Sequence, residues 1–446
     1  MKPAAGAFLG GAASRLLPAS IPFRFFGSAV VFQGLAWLAL MAGADGLPRF
    51  VGGLGWPLAG LHLITLGVLV MSAIGASLQL LPVATRQPVR STFLPLAIWW
   101  LYTPGVAAVA AGMGLGMPAL LAAGAVAVLL ALLMVAALLA RNLLGARGMT
   151  AVVAHGWAAL ACLGVVLTTA LSMALAYVGA AGEIGVPLLD RTSALPWHLA
   201  FAGYGFMGLL ALGLSYILVP MFALSAAPDE RQALHSLGLA IAALLLAAAA
   251  ALDAGAALGS GVPWLRLLAC ALGLAAVALH LVLMFRSLRS GMRRELGGSF
   301  ILVRFAWACL PASLLAAAAI TLGSRWPALP TLFGLLLIGG WLLGFLLGIL
   351  QRILPFLASM HVARGSKRPP TPGSLTDERA LAVHRLCHFA ALAGLALAIV
   401  AESGALAALA AGIGAVGAAA FARFYFKLRR RMAAAAPRAD GARELA

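Results

Sequence analysis

Twelve apolar runs, separated by short polar connectors, dominate the sequence. Each is about 20 residues or longer, which as an α-helix spans the hydrocarbon core of a bilayer. Inside lipid the backbone must satisfy its own hydrogen bonds, so only helices or a closed barrel can cross, and barrel strands are about half this length. The runs therefore predict an all-α, polytopic membrane protein with twelve transmembrane helices.

The composition agrees with this prediction and excludes other classes. Apolar residues make up 63% of the chain and charged residues 9%, against about 45–50% and about 25% in soluble domains. The net charge of +18 is scattered over short connectors and does not form a patch with interleaved aromatics, so nucleic acid is not an expected partner. The four cysteines lie in apolar segments without metal-ligand spacing and read as packing residues: Cys162, Cys270, Cys309 and Cys387.

The chain is predicted to form a single transmembrane domain, 1–446, with a cytoplasmic linker at 358–379 and a disordered tail at 432–446. Its expected partner along most of its length is membrane lipid. The predicted helices lie at 21–43, 57–82, 93–113, 117–140, 150–178, 195–222, 233–257, 263–286, 299–323, 330–357, 380–401 and 405–427.

The positive charges predict the orientation. If the N-terminus is cytoplasmic, nearly all Lys and Arg residues fall on the cytoplasmic side, and the other side holds Arg49, Arg191, Arg266 and Arg325. This is the positive-inside distribution. We therefore expect a bacterial inner-membrane protein with both termini in the cytoplasm.

A glycine–proline motif recurs in every fourth predicted helix. It has the form Gly-x7-Gly-x6-Pro and comprises Gly67, Gly75 and Pro82 in helix 2, Gly205, Gly213 and Pro220 in helix 6, and Gly340, Gly348 and Pro355 in helix 10. Small residues on one face let a neighbouring helix, or a flat cofactor, approach closely. The repeat predicts a pseudo-threefold bundle of three four-helix units, 380–427 with 1–82, 93–222 and 233–357, in which helices 2, 6 and 10 line the inside.

This architecture resembles the haem–copper oxidase subunit I superfamily, whose twelve helices form three arcs. Residues 62–82, HLITLGVLVMSAIGASLQLLP, are similar to helix 2 of the NnrS family, haem- and copper-containing proteins linked to nitric oxide stress. The opening IPFRFF at 21–26 is similar to the start of that family. Residues 197–222 resemble small subunit-I-like proteins. The resemblance implies a haem cofactor and, less directly, copper.

The sequence departs from the superfamily where oxygen is reduced. The helix-7 histidine pair that binds copper is missing, since only His235 occurs there, at the inner end. Helix 10 lacks both haem-ligating histidines, and Leu335 stands at the position that matches His62. Gly60 replaces a further NnrS histidine. These departures imply that the oxygen-reducing centre is absent.

His62 and His198 are the candidate haem ligands, since both lie about one turn below the outer surface and an imidazole is costly in lipid without a partner. His62 matches the helix-2 haem ligand of the superfamily, and Gly67 and Gly75 are the predicted surface for the macrocycle. In the repeat register His198 points about 200° away from His62 around its helix. The alternative for either residue is an interfacial histidine bonded to a carbonyl.

The remaining ionisable residues offer weaker candidates. His384 and His388 share a helical face and could hold one metal or line a proton path, or they belong to a solvated helix start. His235, His280 and His361 are interpreted as interface residues, and Asp253 as an interfacial acid or part of a cation or proton route.

The predicted function is haem-dependent electron transfer or nitric oxide response, with a redox partner protein such as a cytochrome and a homo- or hetero-oligomeric state. If the chain is enzymatic, we expect a redox subunit. The alternatives are a metal or small-solute transporter and a cofactor-free subunit or assembly factor of a respiratory complex.

Overall fold

The structure is a computed structural model that describes residues 17–85, 87, 91–179, 191–251, 261–293, 295–363 and 370–435. Several sequence predictions fall outside these residues: the candidate acid Asp253, the centre of the predicted linker at 364–369 and the end of the predicted tail at 436–446.

Nine of the long helices in the described part of the chain are regular α-helices. We number all twelve in chain order. The nine are α1 Ser20–Ala42, α3 Phe93–Gly114, α4 Pro118–Leu144, α5 Thr150–Tyr177, α7 Glu230–Ala251, α8 Gly261–Ser290, α9 Ser299–Thr321, α11 Glu378–Val400 and α12 Gly404–Ala435.

The other three are the helices that carry the glycine–proline motif, and each has a π-helical stretch in its middle. Their segments are Trp56–His62, Leu63–Val70 and Met71–Thr85 in α2, Arg191–Ala200, Phe201–Gly208 and Leu209–Ala223 in α6, and Leu329–Gly334, Leu335–Leu343 and Gly344–Ala363 in α10. The first glycine of each motif lies within the π-helical stretch. The sequence repeat is therefore also a repeat in backbone conformation, of a type that is frequent at functional sites.

All twelve helices within the described residues are long and apolar enough to cross a membrane, which confirms the predicted number. The chain is a multi-pass membrane protein. We call the end of the bundle where α1 begins and α12 ends the basic end, and the other end the opposite end.

Two helices extend into segments that the sequence predicts as linker or disordered tail. α10 continues to Ala363, into the predicted linker, and α12 continues to Ala435, into the predicted tail. The last residues of α12 are a run of alanines, the strongest helix former, which explains its extension. Each motif proline lies inside its helix and does not end it.

The helices contact one another in the same order in each predicted four-helix unit. The closest pairs are α3 with α4, α7 with α8, and α11 with α12. The next helix of each unit, α5, α9 or α1, packs on the second member of that pair and on the motif helix, α6, α10 or α2. The π-helical stretch of α10 also contacts those of α2 and α6, so the motif helices meet inside the bundle.

The second motif glycines lie where a motif helix presses against the preceding long helix of its unit. A Cβ atom built at these positions would lie 3.0 Å from Phe25 on α1, 2.6 Å from His155 on α5 and 2.8 Å from Val303 on α9, for Gly75, Gly213 and Gly348 respectively. They therefore face protein and not lipid, as the prediction required. Glycine at this spacing gives the close backbone approach that holds helices together in lipid.

The first motif glycines do the same, which corrects the predicted cofactor surface. A Cβ atom at Gly67 would lie 2.7 Å from Phe32 on α1, so the buried Phe32 ring already covers this face of α2. Gly75 is covered by Phe25 in the same way. Gly67 and Gly75 are helix-packing positions, and a macrocycle has no open surface on either.

Candidate functional site

His62 ends the first segment of α2, directly before the π-helical stretch. Its Nδ1 lies 3.0 Å from the carbonyl oxygen of Leu58, one turn earlier. Because a carbonyl only accepts, Nδ1 must carry the proton and donate it. The neutral ring therefore keeps the lone pair of Nε2 free. The carbonyl-bonded alternative of the sequence analysis and a ligand role for His62 are thus compatible.

His198 is fixed in the same tautomer by α5. Its Nδ1 lies 3.3 Å from Oγ1 of Thr169, whose single hydroxyl proton is directed to the Val165 carbonyl at 2.9 Å. The threonine oxygen must then accept from His198, so Nδ1 is again the protonated nitrogen. Nε2 of His198 is then the nitrogen that carries the lone pair. Hydrogen bonds of this kind set which nitrogen of a histidine can reach a metal.

The structure places His62 and His198 at the same end of the bundle, where each comes just before the π-helical stretch of its motif helix. Both side chains are partly buried near the opposite end. The predicted difference in direction between the two side chains stays a prediction.

The alternative metal site at His384 and His388 is not supported. Arg385 donates to Oε1 of Gln351 at 3.0 Å, and Nε2 of Gln351 donates to Nδ1 of His384 at 3.1 Å. Nε2 of His384 then carries the ring proton and lies 3.3 Å from the Gln33 amide, whose oxygen accepts when that amide is turned toward the ring. Both nitrogens of this buried ring are thus occupied by side chains of α1 and α10, which leaves no lone pair for a metal.

A second buried cluster near the basic end joins α5, α6 and α8. Tyr216 lies between two histidines, with ring centroids 5.4 Å from His155 and 5.1 Å from His280. Nδ1 of His280 is 3.0 Å from the tyrosine hydroxyl, and Nδ1 of His155 donates to the Ala151 carbonyl at 2.7 Å. The prediction of an interface position for His280 is wrong, because its side chain is fully buried. His235 is exposed, as predicted.

Nε2 of His155, His280 and His388 is buried and has no hydrogen-bond partner. No group of three or more His, Cys, Asp or Glu side chains that could hold a metal occurs in the described residues.

A cavity of about 280 Å³ lies between α6, α7, α8, α9 and α10. Small side chains at helical spacing create it: Ala240, Ala243 and Ala247 on α7, and Ala269 and Gly273 on α8. Its size is close to the lower end of ligand pockets, which hold about 300–1,000 Å³. The sequence analysis missed it, although three alanines at these spacings on one helix are a visible signal.

The polar groups of this cavity are few and mostly paired. The ring of Tyr204 stacks on Trp341 at 5.8 Å, and its hydroxyl bonds Ser313 at 2.8 Å. His198 does not line the cavity, since it projects from α6 toward α5. The cavity and the histidine pair therefore lie on different faces of α6.

Comparison with known proteins bears on the fold. No protein-family model and no curated protein matches the sequence. A solved structure, a haem–copper terminal oxidase dimer studied by cryo-electron microscopy, matches with a TM-score of 0.58 over 95% of this chain and 85% of that chain, at 12% sequence identity. The chain has a haem–copper oxidase-like fold. At this identity the likeness establishes the fold alone, and the resemblance to the NnrS family stays a prediction.

The donor set fits haem better than a bare metal ion. Haem iron takes four ligands from its macrocycle and needs at most two axial ligands from protein, which is what two imidazoles with free Nε2 atoms offer. Zinc, in contrast, takes three or four protein ligands. The packing of Phe32 and Phe25 on Gly67 and Gly75 excludes the predicted macrocycle surface on α2.

Proposed function

We propose that this chain is a haem-binding membrane protein that acts in electron transfer or in the response to nitric oxide. One observation carries the proposal: His62 and His198 lie at the same end of the bundle, each just before the π-helical stretch of its helix, and each ring has its proton fixed on Nδ1. A buried polar group without a bonding role is costly in lipid. Two such rings at one end of the bundle, in the same tautomer, support a role as haem ligands.

The residues around the pair have defined tasks in this proposal. The Leu58 carbonyl and the Thr169 hydroxyl hold the two rings in orientation and increase the basicity of Nε2. The apolar helices around them restrict the access of water. When bound, haem would supply one-electron redox chemistry and a site for a gas ligand. A redox protein outside the membrane is the proposed electron source, and copper remains a second candidate cofactor.

Oxygen reduction is not part of the proposal. The superfamily places histidines in the outer part of helices 7 and 10. In the described α7 the only histidine is His235, and in α10 it is His361, both toward the basic end. Oxygen consumption by the purified protein at oxidase-like turnover would contradict this part.

Haem content per protein tests the proposal. The purified full-length chain, supplied with haem during expression, should show a Soret band, and His62→Ala should lose most of it. His235→Ala is the matched control, since this histidine is exposed, and should retain the band. A colourless wild-type preparation would refute haem binding. Full retention in His62→Ala with loss in His384→Ala would move the site to the basic end.

The cavity favours a second candidate function, the binding or passage of a small apolar solute. Apolar cavities that exclude water can take up apolar guests. This function needs no cofactor, so it is the expected one if the protein is colourless. Filling the cavity by Ala247→Phe would then abolish solute binding and leave the haem content of the wild type, if any, unchanged.

A further inference from the structure

A groove of about 440 Å³ runs between α1, α3 and α12 at the basic end. We call it the arginine groove, after Arg24 and Arg429, which line it. Its apolar wall includes Val31 and Phe426, each 54% exposed toward the membrane side of the bundle. It lies apart from the histidine pair and from the cavity, and nothing in the proposed function uses it.

Aromatic rings hold Arg24 at the groove. The guanidinium lies over the Trp99 ring, 5.3 Å from its centroid. The indole Nε1 of Trp99 in turn donates to Oγ of Ser28 at 3.0 Å. A cation held over a ring face keeps its N–H groups free for an anion.

Arg429, on the α12 wall of the groove, is also held by an aromatic ring. Its guanidinium lies over the ring of Phe23, 5.0 Å from the centroid. Tyr425 lies on α12, as Arg429 does. Its hydroxyl donates to the backbone carbonyl of Phe23 on α1 and so holds α1 against α12.

Neither arginine has a carboxylate partner within ion-pair distance among the described residues. Two other basic residues of α12 do have a carboxylate partner, since Arg423 and Lys427 pair with Asp377 at 3.8 Å and 2.9 Å. Within the described residues, the groove thus holds two guanidinium groups without a compensating carboxylate.

One polar atom in the wall of the groove also lacks a partner. Oγ1 of Thr103, which lines the groove, is buried and has no hydrogen-bond partner among the described residues. Threonines elsewhere in these helices bond a carbonyl one turn earlier, as Thr169 does. An unpaired buried hydroxyl is costly unless something outside the chain satisfies it.

We propose that the arginine groove binds an anionic phospholipid, with its phosphate between Arg24 and Arg429 and an acyl chain along Val31 and Phe426. Arginine binds phosphate oxygens with paired N–H groups, and basic pockets between transmembrane helices take anionic headgroups. Arg24 lies one turn into α1, at headgroup depth. The apolar wall distinguishes a lipid from free phosphate, and the two uncompensated charges distinguish it from a neutral quinone.

Lipid retention by the full-length protein tests the proposal. Delipidated protein in detergent is incubated with phosphatidylglycerol or phosphatidylcholine, and bound lipid is counted by native mass spectrometry. Wild type should prefer phosphatidylglycerol. Arg24→Gln with Arg429→Gln should weaken its binding by about 25-fold, or about fivefold for each arginine. The matched control is Arg141→Gln with Arg430→Gln, which alters two exposed arginines outside the groove and should change little.

A second pair of variants tests the acyl-chain part without altering charge. Val31→Trp fills the groove and should reduce phosphatidylglycerol retention, while Leu35→Trp, one turn further along α1 and similarly exposed, should not. Equal retention of the two lipids, or retention unaffected by both Arg24→Gln/Arg429→Gln and Val31→Trp, would overturn the proposal. Displacement of the lipid by inorganic phosphate at equal concentration, or co-purification of a quinone in its place, would overturn it as well.

Discussion

The two halves of the bundle treat their histidines differently. Near the opposite end, His62 and His198 each use one ring nitrogen on the protein, and the rings are only partly buried. Near the basic end, His384 uses both nitrogens, and His280 keeps one nitrogen free in a ring with no exposed surface. A ligand site needs a lone pair that a ligand can reach, and the more exposed rings of His62 and His198 are therefore the better candidates.

The largest expected effect is that two histidine variants lose different properties, one its stability and the other its haem. His384→Leu leaves the Gln33 amide and the Gln351 amide nitrogen without their ring partner, while Gln351 Oε1 keeps Arg385, and it should lower the free energy of unfolding by about 2–4 kcal/mol, while haem is retained. His62→Leu removes one bond to a carbonyl and should cost about 1 kcal/mol or less, while haem is lost. Thermal unfolding in detergent, read beside the Soret absorbance, measures both.

Equal losses of stability in His62→Leu and His384→Leu would remove the distinction between the two halves. Retention of haem in both would leave the distinction and refute the ligand assignment.

A smaller effect tests whether His198 belongs to the ligand pair. Thr169→Val removes the acceptor of the His198 Nδ1 proton and should weaken haem binding by about 10- to 100-fold, the usual cost of losing a partner behind a metal ligand. Thr168→Val is the control, since Thr168 bonds the Gly164 carbonyl and faces outward. Haem titration of both variants gives the measurement, and identical affinities would restrict the site to His62.

The smallest effect concerns the anchor of α11, the helix that carries His384. A hydrogen bond from Lys427 lowers the pKa of Asp377, against the opposing effect of burial and with support from the Ala380 N–H and Arg423. A carboxyl group whose pKa is lower in the folded than in the unfolded protein stabilises the fold at pH values above its unfolded pKa, which is near 4. This contribution to stability disappears as the pH falls through the folded pKa. Asp377→Asn should therefore lower stability by about 1 kcal/mol at pH 7, since Lys427 is partly exposed.

The difference between wild type and Asp377→Asn should shrink as the unfolding experiment moves below pH 4. A difference that stays constant down to pH 3 would mean that the carboxylate charge contributes nothing, and that only the helix cap matters.

The candidate site was only partly predictable. His62 and His198 were identified from their depth in the membrane, but Thr169 and Leu58, which set their tautomers, carry no pattern in the sequence. Gln33 and Gln351, which occupy His384, are isolated polar residues 318 positions apart in sequence. Gly67 was assigned to a cofactor surface because glycine spacing alone does not say which neighbour fills the gap.

The sequence by itself determined the twelve helices and the repeated motif. This follows because lipid cannot satisfy a backbone hydrogen bond, so each crossing segment must form its own helix from local apolar residues. Tertiary structure decided which side chains meet. The bond between His198 and Thr169, the coverage of Gly67 by Phe32 and the position of Arg24 over the Trp99 ring all depend on how neighbouring helices are rotated against one another, and no local pattern encodes that rotation.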